Sequence, residues 1–173
     1  MKYLSVILFF LLFGGTVSAQ TRDTIPPYKK DLHIPNFSIL QPDSTLFTKA
    51  LIPANYDYTA IVYFSPDCGH CQYTTSEILK HMDSLSNVFF VFVSYKPMPD
   101  VREFYEHYHL NLSSNIRIGR ESNYSLISFY QVASTPFVAI YNRKGTLTTV
   151  YDPPSHPVME VPNLISLVNQ KTQ

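Results

Sequence analysis

The chain's only two cysteines stand three positions apart, in the run Val62-Tyr63-Phe64-Ser65-Pro66-Asp67-Cys68-Gly69-His70-Cys71. An apolar, β-rich stretch leads into this pair and an amphipathic helical pattern leads out of it, which places both sulfurs in the first turn of a helix. At that spacing a disulfide closes with little backbone movement. The helix start offers unpaired N–H groups and the positive end of the helix dipole, and both stabilise a thiolate. The expected chemistry is thiol–disulfide exchange, with Cys68 exposed as the attacking sulfur and Cys71, one turn deeper, resolving the mixed disulfide.

Two other uses of the pair compete. A structural zinc site usually takes four ligands, often two Cys-x-x-Cys pairs, and no second pair exists. What is left of the metal reading is a Cys68, His70, Cys71 cluster that captures a soft ion such as copper or zinc, making the protein a metal carrier. A purely structural disulfide over a two-residue loop would restrain the unfolded chain very little. Redox catalysis is therefore preferred, without metal or other cofactor.

Residues 1–19 read as a secretory signal peptide. Lys2 is the basic n-region, residues 4–12 are the apolar segment, and Val17-Ser18-Ala19 is the small-residue cleavage site, so the mature chain is expected to begin at Gln20. Gly14-Gly15 and Thr16 cut the apolar run short of the roughly 20 residues of a spanning helix. An exported protein, periplasmic or secreted, is expected, in an oxidising space where thiol chemistry is used. No membrane contact is expected once the signal is removed. With 13 basic and 13 acidic residues and no basic block, nucleic acid is not an expected partner.

The elements that must position the cysteines follow from the hydrophobic pattern. Residues 20–33, with Pro26-Pro27, read as an extended linker, and one domain covers 34–173, enough chain to bury a core. Residues 37–40 and 45–47 flank the turn Gln41-Pro42-Asp43-Ser44 as a short hairpin. Residues 59–64 and 88–95 are continuously apolar, as strands buried on both faces should be. Residues 68–85 carry a helical stripe of Ile78, Leu79, Met82 and Leu85. Asp100 is expected to cap a further helix with Glu103 completing a capping box. A short strand at 116–118, a helix at 123–131, a hairpin of 137–141 with 146–151, a loop at 152–157 and a last helix at 163–170 complete the order. A parallel pair with crossover helices plus an antiparallel hairpin makes a mixed α/β sheet covered on both faces.

At this point the chain resembles the thioredoxin-like superfamily, and within it the exported, TlpA-like group often placed with the AhpC/TSA redoxins. The carriers are the strand-Cys68-Gly69-His70-Cys71-helix unit, the leading hairpin, and Ser134-Thr135-Pro136-Phe137 ahead of the late hairpin. The resemblance implies a thioredoxin-like fold with an N-terminal β-hairpin extension. It also implies a cis Thr135–Pro136 bond beside the sulfurs, with Thr135 offering its backbone to a substrate peptide. The expected partners are protein thiols and disulfides in the exported compartment, together with a redox partner protein, and the expected state is a monomer. Cys-Gly-His-Cys matches the active site of protein disulfide isomerases, in which the histidine favours the thiolate-bearing form. A partly charged imidazole at His70 would act in that sense, and a solvated loop residue is the alternative.

The sequence departs from the family at three places. Asp67 stands where Trp is common, and its charge would oppose the Cys68 thiolate unless it serves as a helix cap. Val62 replaces the buried acid that shuttles protons in thioredoxin. Thr74 stands where some reductive members carry Glu. A thiol peroxidase, the other enzymatic option, needs a Thr-x-x-Cys type loop that Ser65-Pro66-Asp67-Cys68 lacks. His33, His81, His107, His109 and His156 are expected on the surface or as caps. The Asn-x-Ser patterns at Asn36, Asn111 and Asn123 matter only in a host that glycosylates exported chains.

Overall fold

Three apolar strands form the floor of the site: β3 (Tyr58–Tyr63), β4 (Val88–Ser94) and β5 (Ile116–Arg120) run parallel, with β4 in the middle. The computed structural model describes residues 25–153 and 159–170. The hairpin β1 (Ser38–Leu40) and β2 (Leu46–Thr48) joins β5 antiparallel through Leu40 and Arg120. On the other side, β6 (Phe137–Asn142) pairs antiparallel with β3 and carries β7 (Leu147–Tyr151) at the edge. The sheet order is therefore β2-β1-β5-β4-β3-β6-β7. The third parallel strand, expected as a short piece at 116–118, extends to Arg120.

Period-two alternation along β3 sorts its side chains between two cores. Ala60 and Val62, with Phe64 just beyond the strand, belong to the layer under α2 (Gly69–Lys80), α3 (Met98–His107) and α5 (Val161–Asn169), with Cys71, Ile78, Phe104 and Leu164. Ile61 and Tyr63 belong to the opposite layer, with Phe37, Phe47, Phe137 and residues of α4 (Ser125–Tyr130). β4 is buried along its whole length, which is why its sequence shows no alternation.

Three expectations about local structure are corrected. The stretch read as a linker contains a short helix, α1 (Pro27–Lys30), because Pro27 suits a first helical position and Tyr28 has an apolar place to go. Tyr28 is buried, with its ring 5.9 Å from Tyr130 and 6.1 Å from Phe137. The helix after the cysteines stops at Lys80, and residues Met82–Leu85 form a 3₁₀ turn after a bend at His81. Asp100 does not cap α3. The helix opens one turn earlier, after Pro97 and with Pro99 in its first turn, so Asp100 sits inside it, where its charge still complements the dipole. The expected signal peptide and most of the 152–157 loop lie outside the described residues.

The hairpin extension rests on one close backbone approach. A Cβ on Gly119 would stand 2.5 Å from the Leu40 carbonyl oxygen and 3.1 Å from the Ile39 Cβ. Backbone cannot yield as a flexible side chain does, so Gly119→Ala should push the hairpin off β5. Urea unfolding is expected to show a loss of roughly 1–3 kcal/mol, with the reactivity of Cys68 unchanged. A stability equal to that of the parent would mean that the hairpin is not held by this contact.

Candidate active site

The end of β3 delivers the chain to the site. The Phe64 N–H donates to the Val93 carbonyl at 2.9 Å, and the turn Ser65-Pro66-Asp67 closes through the Cys68 N–H on the Ser65 carbonyl at 3.1 Å. Cys68 is then the N-cap of α2, its Sγ accepting the Cys71 N–H at 3.3 Å. The capping role that sequence reading allowed Asp67 thus belongs to the cysteine. Both cysteines are free thiols, Cys68 half-buried and Cys71 only 1% exposed.

The loop before β6 closes the site from the other side. The Thr135–Pro136 bond is cis, and the Cys68 thiol donates to the Thr135 carbonyl at 3.4 Å. Pro136 is buried and Thr135 partly exposed, so the backbone ahead of the proline borders Cys68 Sγ. The Ser134 hydroxyl ties the same loop to the Pro153 carbonyl. His70 lies exposed on the first turn of α2.

The two sulfurs are electrostatically unlike. Burial pushes the Cys68 thiol up, but hydrogen bonds from the Cys71 thiol, the Thr135 side chain and the Cys71 and His70 backbone N–H groups together hold it below the ordinary cysteine value. Burial drives the Cys71 thiol up to about 12, and its hydrogen bond to Cys68 adds to that. Val62 and Thr74 are both buried, and neither side chain ionises.

Asp67 is exposed. Its carboxylate accepts from the Ser65 hydroxyl and pairs with Lys96 Nζ at 2.9 Å, and these partners hold it down to about 2. Lys96 and Ser65 were not singled out in the sequence. The register that would have found Lys96 is parallel pairing of Tyr63 with Val93, which sets the loops after β3 and β4 side by side. A cleft of about 530 Å³ adjoins this pair, lined among others by Gln72, Phe104 and His107. Among the described residues, no group of three or more His, Cys, Asp or Glu is placed to hold a metal ion.

With fold and site described, the comparisons with known proteins are direct. The family defined by the thioredoxin-like domain matches residues 48–155, and the chain belongs to that family. No curated protein matches the sequence. A secreted disulfide oxidoreductase of Mycobacterium tuberculosis, homologous to E. coli DsbE, is 18% identical over 76% of this chain and 93% of its own, with a TM-score of 0.62. A peroxiredoxin-like protein from Aquifex aeolicus is 16% identical over 80% of this chain and 84% of its own, at 0.63. The exposed lipoprotein thioredoxin of Streptococcus pneumoniae is 16% identical over 79% of this chain and all of its own (100%), at 0.59. At these identities the likeness is one of fold.

Proposed function

We propose that this protein is an exported thiol–disulfide oxidoreductase that exchanges disulfides with protein substrates through Cys68 and Cys71. The observation that carries the reading is the asymmetry of the pair: a half-exposed sulfur ringed by donors to its thiolate, and a buried one held as a thiol. In the reducing direction the Cys68 thiolate attacks one sulfur of a substrate disulfide. A Cys68–substrate S–S bond forms, the substrate S–S bond breaks, and the departing thiolate takes a proton from solvent. Cys71 then loses its proton and attacks Cys68 Sγ. The Cys68–Cys71 disulfide forms and the second substrate thiolate leaves and is protonated. Two electrons and two protons pass to the substrate, and the reverse sequence oxidises a dithiol. Thr135 offers the backbone beside Cys68 on which a substrate strand can lie, and Pro136 shapes that edge. Export rests on residues 1–19, and the Mycobacterium tuberculosis protein of the same fold is described as secreted.

The test is equilibration of the purified protein with glutathione buffers. A reversible two-electron couple is expected, and its value sets the direction: near −270 mV, about that of thioredoxin, suits a reductase, and near −180 mV, about that of the isomerases, suits an oxidant or isomerase. Absence of any reversible couple would overturn the proposal. His70→Pro should shift the couple downward by some tens of millivolts, where about 30 mV corresponds to roughly 1.4 kcal/mol. It removes both the imidazole and the backbone N–H that favours the Cys68 thiolate. An unchanged potential would leave His70 as a solvated residue.

A further inference from the structure

The residue before the first cysteine, Asp67, carries a full negative charge next in sequence to a sulfur that has to become negative. Left alone, such a charge would oppose the thiolate. The structure does not leave it alone: Lys96, from the loop after β4, reaches across to place its Nζ 2.9 Å from the Asp67 carboxylate. The lysine side chain is the less exposed partner, at 26% against 70% for the aspartate, and the Tyr95 ring lies 5.6 Å from Lys96 Nζ. The backbone of the same loop is fixed, because the Lys96 N–H donates to the Ser94 hydroxyl. On the other side of the pair, the Ser65 hydroxyl holds Asp67, and Gln72 Nε2 donates to the Pro66 carbonyl at 2.9 Å. The loop that ends in Cys68 is thus clamped at Ser65, Pro66 and Asp67, and the cation in the clamp comes from the loop after β4.

We propose that Lys96 is a positioning residue for Cys68: by neutralising Asp67 it sets how readily the Cys68 thiolate forms, and with it the poise of the Cys68–Cys71 couple. The inference rests on the exchange chemistry proposed above. The other titratable groups near the pair are Asp100, Glu103 and His107 on α3, Tyr108 just after it, Tyr95 beside the lysine, and His70 on α2. With Asp100 and Glu103 also on the cleft wall, the negative charge left by removing Lys96 has, among the described residues, no other lysine or arginine lining the cleft to balance it.

The alternative is that the pair merely fastens the loop, and charge and mechanics make opposite predictions. If the pair acts as a fastener, Lys96→Met and Asp67→Asn both loosen the same loop and move Cys68 in the same direction. If it acts by charge, Lys96→Met leaves a bare carboxylate on the residue before Cys68 and Asp67→Asn leaves a bare ammonium, so the two variants move it in opposite directions. The experiment is the pH–rate profile for alkylation of Cys68, separated from Cys71 by peptide mass, in the reduced full-length protein. Lys96→Met should raise the midpoint by about half a pH unit, the scale of an exposed pair screened by water, and Asp67→Asn should lower it by a similar amount. The double variant should return to the parent midpoint, and Lys96→Arg should stay there. In 1 M salt, where the Debye length is about 3 Å, the displacements should shrink. At pH 9, where the reduced form carries the thiolate, the equilibrium constant against glutathione should change about threefold with the same signs.

Midpoints that shift together in the two single variants, or that do not shift at all, would overturn the inference while leaving a functioning couple in the parent. A parent without a reversible couple would instead overturn the exchange reaction, and the alkylation profiles would still decide the role of Lys96.

Discussion

Cys71→Ser should turn the protein into a trap. The first attack needs only Cys68, whose thiolate loses the Cys71 thiol as a partner but keeps the backbone N–H groups of residues 70 and 71. The second attack needs the buried sulfur, and a serine hydroxyl cannot displace a thiolate from sulfur at neutral pH. Mixed disulfides with exported proteins should therefore accumulate through Cys68 and be released by dithiothreitol. Non-reducing gels and peptide mass mapping would show them. Cys68→Ser should trap few, because the remaining sulfur is 1% exposed and its proton is firmly held. Turnover in a protein-disulfide reduction assay should fall to the uncatalysed level in both variants, on the order of a thousandfold or more below the parent. Trapping by Cys68→Ser in place of Cys71→Ser would reverse the assigned roles.

Much of this arrangement is legible in the sequence, for reasons that can be given residue by residue. β3 and β4 announce themselves because strands buried on both faces carry unbroken apolar runs, and the Asn142-Arg143-Lys144-Gly145 turn marks the late hairpin by chemistry that does not depend on the rest of the chain. Gly145 there has φ of 72°, a backbone region that glycine enters without strain. The site cysteines were visible for the same reason, since spacing and helix start are local facts. What escaped reading depends on partners distant in sequence. Tyr28 is an unremarked tyrosine in a Pro-rich stretch until Tyr130 and Phe137 come to meet it. Lys96 is one more surface lysine until the parallel register brings it to Asp67. Asp100 failed as a cap because Pro97 and Pro99 start the helix earlier, a case of backbone preorganisation outweighing a side-chain signal.

The reduced protein should show two cysteines of very different reactivity and a stability that falls further in alkali than that of the oxidised protein. With Cys71 raised to about 12, roughly one molecule in 10⁵ carries its thiolate at pH 7, whereas Cys68, held below the ordinary value, carries its thiolate far more often. The more basic thiolate is intrinsically the better nucleophile, but a Brønsted slope of about 0.4–0.5 returns only part of that difference. Cys68 should therefore alkylate first even before burial slows Cys71 further, and timed alkylation with mass mapping would measure the ratio. The same shift sets a pH dependence of folding. A thiol held protonated in the fold, but free to ionise near pH 8.5 when unfolded, contributes its full stability below about pH 8.5. That contribution is lost as pH rises from there towards about 12, at most about 1.4 kcal/mol per pH unit. Between pH 7 and 10 the reduced form should therefore lose up to about 2 kcal/mol in urea unfolding, with Cys68, held the other way, giving part of it back. Tyr63, Tyr130 and Tyr141 are also raised by burial and titrate unfavourably in the same alkaline range, but they do so whether or not the sulfurs are joined. Subtracting the oxidised protein's pH profile from the reduced protein's isolates the cysteines. Parallel profiles would mean that Cys71 ionises as an ordinary thiol, and the resolving step would then need no special means of taking its proton.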